Sequence, residues 1–228
     1  MTIKCFIPCR KGSERVPRKN IRPFAGYEHG LIEIKLKQIL AVSYIDEVVL
    51  STNDEEILNF ANQIHNPKLR LHKRIESLSS SKTSTDELIA HALELIPSAH
   101  ILWTHVTSPF INSQDYEGII KRYLEALKQG YDSLMTTTLI HSFLWNEQKP
   151  INYDRNFEKW PRTQTLEPIH EVNSGVFLSH SSNYKVFNDR IGCKPLLYPL
   201  NKIQSFDIDY EEDFAIAECI AKAELVEI

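Results

Sequence analysis

Ile3-Lys4-Cys5-Phe6-Ile7-Pro8-Cys9-Arg10-Lys11-Gly12-Ser13-Glu14-Arg15-Val16-Pro17-Arg18-Lys19-Asn20 joins an apolar run to a basic loop. The run of residues 3–8 is of strand length and reads as a buried first strand. Six of the thirteen residues 10–22 are Lys or Arg, on a chain whose formal net charge is -4. A local excess of positive charge on an acidic chain asks for an anionic partner. Gly12 lets the backbone turn closely around a ligand. Exposed N–H groups together with Ser13, Arg10, Arg15 and Lys19 suit a polyphosphate. The alternative is a solvated loop or a basic targeting cluster. Its place after the first strand favours the ligand, because open α/β sheets bind at strand carboxyl ends.

Downstream, strand and helix patterns alternate. Residues 31–42 carry apolar side chains at helical spacing, and residues 46–52 read as a second strand. Thr52-Asn53-Asp54-Glu55 has capping-box spacing and opens a helix to about residue 64. Residues 69–72 form a third strand and 75–82 a polar loop; Ser84-Thr85-Asp86-Glu87 is a second capping box. Residues 100–104 read as a fourth strand, 113–128 as a helix ended by Gly130, and 133–139 as a fifth strand. This alternation predicts a three-layer α/β/α domain on a mainly parallel sheet. The pattern breaks over residues 140–172, which hold Trp145, Trp160, Pro150, Pro161 and Pro168 without a long period. So long an irregular stretch reads as an excursion from the domain, or else as a surface loop. Strands at 174–178 and 195–200, a strand-like 205–209, and a helix from Tyr210 to about residue 225 follow.

A length of 228 residues with 42% hydrophobic and 25% charged side chains suits one soluble domain with a sizeable core. No apolar run reaches the roughly 20 residues of a bilayer span, and none resembles a signal peptide. The four cysteines form no CxxC pair and the nine histidines no zinc spacing. The expectation is a cytoplasmic protein that binds neither membrane nor nucleic acid.

Asp207 and Asp209 stand two apart, so on a strand both carboxylates would share a face. Such a pair suits Mg²⁺, which takes one or two carboxylates plus phosphate oxygens. Equally, Asp209 with Glu212 has capping-box spacing, and Asp207 could be a strand-end surface acid.

The residues 7–21 resemble the N-terminal signature of the acylneuraminate (CMP-sialic acid) cytidylyltransferases, which activate nine-carbon 2-keto sugar acids with CTP. The related synthetases for the eight-carbon sugar Kdo share the opening but usually carry Lys-Pro at the place of Lys19-Asn20. Further anchors lie at residues 74–85, 107–109, 162–175 and 207–209, so the resemblance spans nearly the whole chain. It implies a triphosphate cradle of Arg10, Lys11, Gly12, Ser13, Arg15, Lys19 and Asn20, with Arg74 and Thr85 also on the nucleotide. It places His105, Thr107, Ser108, Arg162, Gln164 and Asn173 at the sugar, and Mg²⁺ on Asp207 and Asp209. Arg10, Lys19 and Asp207 would carry the chemistry, and residues 140–172 would be an arm that packs on a second subunit. The chain departs from the family pattern at Cys9 and Glu14 in the basic-loop signature, at Tyr210 in the metal motif, and at His105 and Glu171 at the sugar. The implied activity is transfer of CMP from CTP to the anomeric hydroxyl of a 2-keto-3-deoxy sugar acid, with release of pyrophosphate, by a homodimer. Two other readings remain: a glycosyltransferase, since Asp207-Ile208-Asp209 is also a DxD pattern, and a nucleotide-binding relative without catalysis.

Overall fold

Seven strands form one sheet in the order β3-β2-β1-β4-β6-β5-β7. The computed structural model describes residues 1–80 and 82–228. In chain order the elements are β1 (Ile3–Cys9), α1 (Gly30–Leu40), β2 (Glu47–Thr52), α2 (Glu55–Asn62), β3 (Leu69–Lys73), α3 (Thr85–Leu95) and β4 (His100–Trp103). Then come α4 (Ser113–Lys128), β5 (Ser133–Ile140), β6 (Ile169–His180), α5 (Ser181–Phe187), β7 (Pro195–Leu200) and α6 (Glu211–Lys222). β1 pairs in parallel with β2 and β4, β2 with β3, and β5 with β7; β6 is antiparallel to both β4 and β5.

Side chains alternate across a strand, and this one rule divides the core. Cys5 and Ile7 of β1, Val48 and Leu50 of β2 and Leu102 of β4 face the buried sides of α1, α2, α4 and α6. Phe6, Val49, Ile101 and Trp103 face the other way, onto α3 and α5. Both faces of the central strands are buried, which explains their near-continuous apolar runs.

The helix starts follow the sequence closely. Ser84 caps α3, with Glu87 reaching back to the Ser84 N–H at 2.7 Å. Asn112 and Asp115 close a like box on α4. For α2 the cap is Asp54 rather than Thr52: the Asp54 carboxylate accepts from the Glu56 N–H, and Thr52 Oγ1 accepts from the Asp54 N–H.

Besides the short helix α5, which falls between the predicted strands at 174–178 and 195–200 where no helix was expected, two elements differ from expectation. β6 begins at Ile169, five residues before the predicted strand, because residues 169–172 pair with residues 137–140 of β5. The irregular excursion therefore shrinks to residues 141–168, mounted on the end of an antiparallel hairpin. Secondly, Asp207 and Asp209 lie in no strand. The Ile208 N–H donates to the Thr107 carbonyl at 3.0 Å instead of entering a ladder, and the Ile208 side chain is fully buried.

In the excursion, Phe143 and Tyr153 pack edge to face, as do Phe143 and Trp160. Trp160 is 63% exposed and Phe157 92% exposed. Among the described residues no helix is long and apolar enough to cross a membrane.

Candidate active site

From β1 the chain runs left to β2 and β3, then crosses back to β4 on the other side. The carboxyl ends of β1 and β4 thus flank the point where strand order reverses, where ligands of such sheets bind. A cavity of about 490 Å³ opens there. Its walls come from four segments far apart in sequence. Pro8 and Cys9 end β1, and Arg10, Ser13, Glu14, Arg15, Lys19 and Asn20 follow it; His105, Val106 and Thr107 follow β4; Asp207 and Asp209 follow β7; and Ser174 of β6 joins them.

The loop after β1 is fixed at both ends. Gly12 has φ +77°. The Asn20 side chain donates to the Arg10 carbonyl at 3.0 Å, pinning the loop across its neck. At the far end Gly30 has φ +58°, and a Cβ there would stand 1.9 Å from the Arg22 carbonyl oxygen. Only glycine admits so close an approach.

Charge across the cavity is paired. Arg15 donates to Asp209 at 2.8 Å. Lys19, nearly buried, donates to the Ile208 carbonyl at 2.6 Å and lies 3.5 Å from Asp209. Burial lowers the Lys19 pKa, and the two aspartates oppose that shift. Burial raises the Asp207 carboxyl, while the hydroxyls of Thr107 and Ser174 draw it back down. One Asp207 oxygen, Oδ1, is buried with no hydrogen-bond partner. A buried carboxylate oxygen without a donor is costly and marks a place where a cation or donor is wanted.

Asp209 does not cap the last helix. Asp213 accepts from the Asp209 and Tyr210 N–H groups at 3.0 and 2.8 Å. That leaves the Asp209 carboxylate to the cavity and its cations.

His105 is held as a neutral ring. Trp103 Nε1 donates to His105 Nε2 at 2.9 Å, which places the ring proton on Nδ1. Burial, then Arg190, Lys35 and Lys19, push its pKa down to about 3.

Other residues expected at the site stand apart from the cavity. Arg74 is buried: its Nε donates to the Ser79 hydroxyl at 3.2 Å, and its charge draws the Cys9 thiol down against the upward push of burial. Thr85 is an exposed first residue of α3. Lys11 is exposed, its N–H donating to Asn53, and Gly12 lines a small crevice beside the main cavity. Ser108 is buried, its carbonyl accepting from Lys35. Asn173 accepts from Thr136 at 2.6 Å and from the Gly175 N–H at 3.2 Å, with its side chain tied down beside the pocket. Arg162 and Gln164 are exposed on the excursion.

Sequence reading passed over Ser174 and Lys35. Ser174 follows Asn173 on a strand, so opposite faces were implied by alternation and only one was picked. Lys35 betrays itself as the one charge amid the apolar stripe of α1.

The family model for cytidylyltransferases matches residues 4–218. The chain belongs to the cytidylyltransferase family. Pseudaminic acid cytidylyltransferase of Campylobacter jejuni is 29% identical, over 96% of this chain and 95% of the relative. CMP-N,N'-diacetyllegionaminic acid synthase of Legionella pneumophila is also 29% identical, over 96% and 95%. N-acylneuraminate cytidylyltransferase A of Danio rerio is 26% identical, over 95% of this chain and 50% of the relative. Among solved structures, CMP:2-keto-3-deoxy-manno-octonic acid synthetase complexed with CTP superposes with TM-score 0.66 at 16% identity, covering 98% of this chain and all of that one. The 4-diphosphocytidyl-2C-methyl-D-erythritol synthase of Anaerococcus prevotii gives 0.64 at 15%, over 96% and 97%. Those two likenesses establish the three-layer nucleotidyltransferase fold. This cytidylyltransferase is a nucleotidyltransferase enzyme of the CMP-sialic-acid-like group, and its family favours a triphosphate donor over the glycosyltransferase reading.

Proposed function

We propose that this cytidylyltransferase transfers CMP from CTP to the anomeric hydroxyl of a nine-carbon 2-keto-3-deoxy sugar acid of the pseudaminic, legionaminic or sialic type. The observation that carries the reading is the cavity at the β1/β4 crossover, where the basic loop faces two aspartates, in a chain matched end to end by cytidylyltransferases of such acids. The acceptor oxygen attacks the α-phosphorus, the bond to the bridging oxygen breaks, and pyrophosphate leaves while the hydroxyl gives up its proton. The protein's part is positioning and charge neutralisation. Arg10, Ser13 and the loop N–H groups receive the triphosphate. Arg15 and Lys19, now turned to Asp209, supply the positive charge the leaving pyrophosphate needs. His105 offers an Nδ1–H donor toward the acceptor without carrying charge.

The carboxylates fit a magnesium ion. They are hard oxygen donors, Asp207 Oδ1 lacks a partner, and Asp209 is free of helix capping. Among the described residues no cluster of three or more His, Cys, Asp or Glu forms a metal site, so phosphate oxygens and water would complete the shell. Bound there, the metal would withdraw charge from the phosphate oxygens. The enzyme works in this reading as a homodimer joined through residues 141–168.

The test is pyrophosphate release with CTP and Mg²⁺ against pseudaminic, legionaminic, N-acetylneuraminic and Kdo acids. Turnover with at least one nine-carbon acid is expected. CTP binding without turnover on any of them would leave a nucleotide-binding relative.

A further inference from the structure

Helix α1 presents a charged side chain to the core. Lys35 is 0% exposed, beside Ile34 and Leu36. Burying an amine among apolar groups is costly unless hydrogen bonds meet it. Here Nζ donates to the Ser108 carbonyl at 2.8 Å and to the Tyr116 hydroxyl at 2.6 Å. One turn on, Gln38 donates to the Pro109 carbonyl at 2.7 Å. Helix α1 therefore grips two successive carbonyls of the segment after β4. The neighbouring carbonyl, that of Thr107, accepts the Ile208 N–H, and Ile208 stands between Asp207 and Asp209. Lys35 itself does not line the cavity.

We propose that Lys35 is a positioning residue of the transfer reaction. Its amine fixes the Ser108 carbonyl and, through the Thr107–Ile208 bond, sets where the two aspartates stand relative to His105 and the basic loop. A packing role would ask only for a long apolar side chain, which methionine supplies without a polar atom. The amine instead spends both contacts on the loop and on α4. Facing it are Cys5 from β1, Tyr116 from α4 and, beyond the loop, Asp207. Burial brings its pKa down to about 7, and an amine donates hydrogen bonds in either protonation state, so the tether persists on both sides of neutrality. The consequence for turnover rests on the transfer reading above; the consequence for the loop does not.

The variants are Lys35→Met and Tyr116→Phe. The second removes a bond from the same buried site yet keeps the tether to Ser108, and Thr104 retains its bond to the Gly175 carbonyl. Amide exchange is measured on the full chain without ligand. Lys35→Met is expected to speed exchange at Ile208 by about tenfold or more relative to β1 amides such as Ile7, and Tyr116→Phe by less than about threefold. With CTP and the acceptor found by the pyrophosphate screen, Lys35→Met should lower kcat about tenfold or more and leave KM for CTP within about threefold; Tyr116→Phe should hold kcat within about threefold even at a lower melting temperature. Unchanged exchange at Ile208, equal loosening of Ile208 and β1, or the same kcat loss in Tyr116→Phe each overturns the proposal. Should Lys35→Met not fold, Lys35→Gln, one atom too short to reach Ser108, is read the same way. If no acid turns over, the transfer reading fails and the exchange result still decides the role of Lys35.

Discussion

Of the cations lining the cavity, Arg10 is the one that makes no ion pair among the described residues, whereas Arg15 and Lys19 both meet Asp209. It is half-exposed, and its side chain donates to the Gly12 carbonyl at 3.2 Å. Arg10→Ala should therefore leave the melting temperature unchanged and weaken CTP binding by about 2 kcal/mol, the size of a lost charge-assisted contact, read by titration calorimetry. Lys35 makes a prediction about stability and pH. Its folded pKa of about 7 lies below the ordinary 10.5, so between these values the unfolded chain binds the extra proton and stability rises with pH. Cys5 and Cys9 act oppositely above pH 9, where unfolded thiols ionise while burial keeps the folded ones protonated. The unfolding free energy from urea titrations should climb from pH 7 to 9, by an upper bound of about 2.7 kcal/mol, and this slope should vanish in Lys35→Met. Residue types in the basic loop and the Asp207/Asp209 pair could be read from sequence because they cluster or repeat at fixed spacing. The neutral state of His105 could not, since it comes from Trp103, Arg190 and burial, none of which spacing reveals.

Among elements, helix α1 depends on its first residue. Gly30→Ala would set a Cβ against the Arg22 backbone at positive φ, and should cost about 3 kcal/mol or more in urea unfolding. By contrast, Ser84→Ala on α3 should cost about 1 kcal/mol, the value of one cap. Periodicity located every helix but the short α5, and most strands, within a few residues, because local burial and capping decide them. It failed where the partner decides. Residues 169–172 are strand because β5 is beside them, and no period within the segment says so. Phe206 to Asp209 alternates like a strand yet has no strand to pair with, so its backbone bonds to the β4 loop instead. The antiparallel sense of β6 is likewise a long-range fact.

At the scale of the molecule, the excursion of residues 141–168 leaves Phe157, Trp160 and Ile151 in water, more apolar surface than a lone loop usually shows. Light scattering should report a dimer at micromolar concentration, and Trp160→Asp with Phe157→Asp should shift it to monomer without unfolding the sheet. The three-layer plan was legible because alternating strand and helix patterns admit few topologies; the cavity's position followed, but the contribution of Ser174 from β6 did not. That wall plan has a temporal side. Arg15 meets Asp209 across 194 residues and Lys19 meets Ile208 across 189. During synthesis the first strand and its basic loop leave the ribosome long before their counter-charges exist. The sheet's β1, β2 and β3 can pair early, but β4 needs only half the chain, while the pocket waits for nearly all of it. A polypeptide halted before residue 207 would thus hold an uncompensated cationic loop on a half-built sheet, open to any polyanion in reach, and would become a selective site only when its last segment is released.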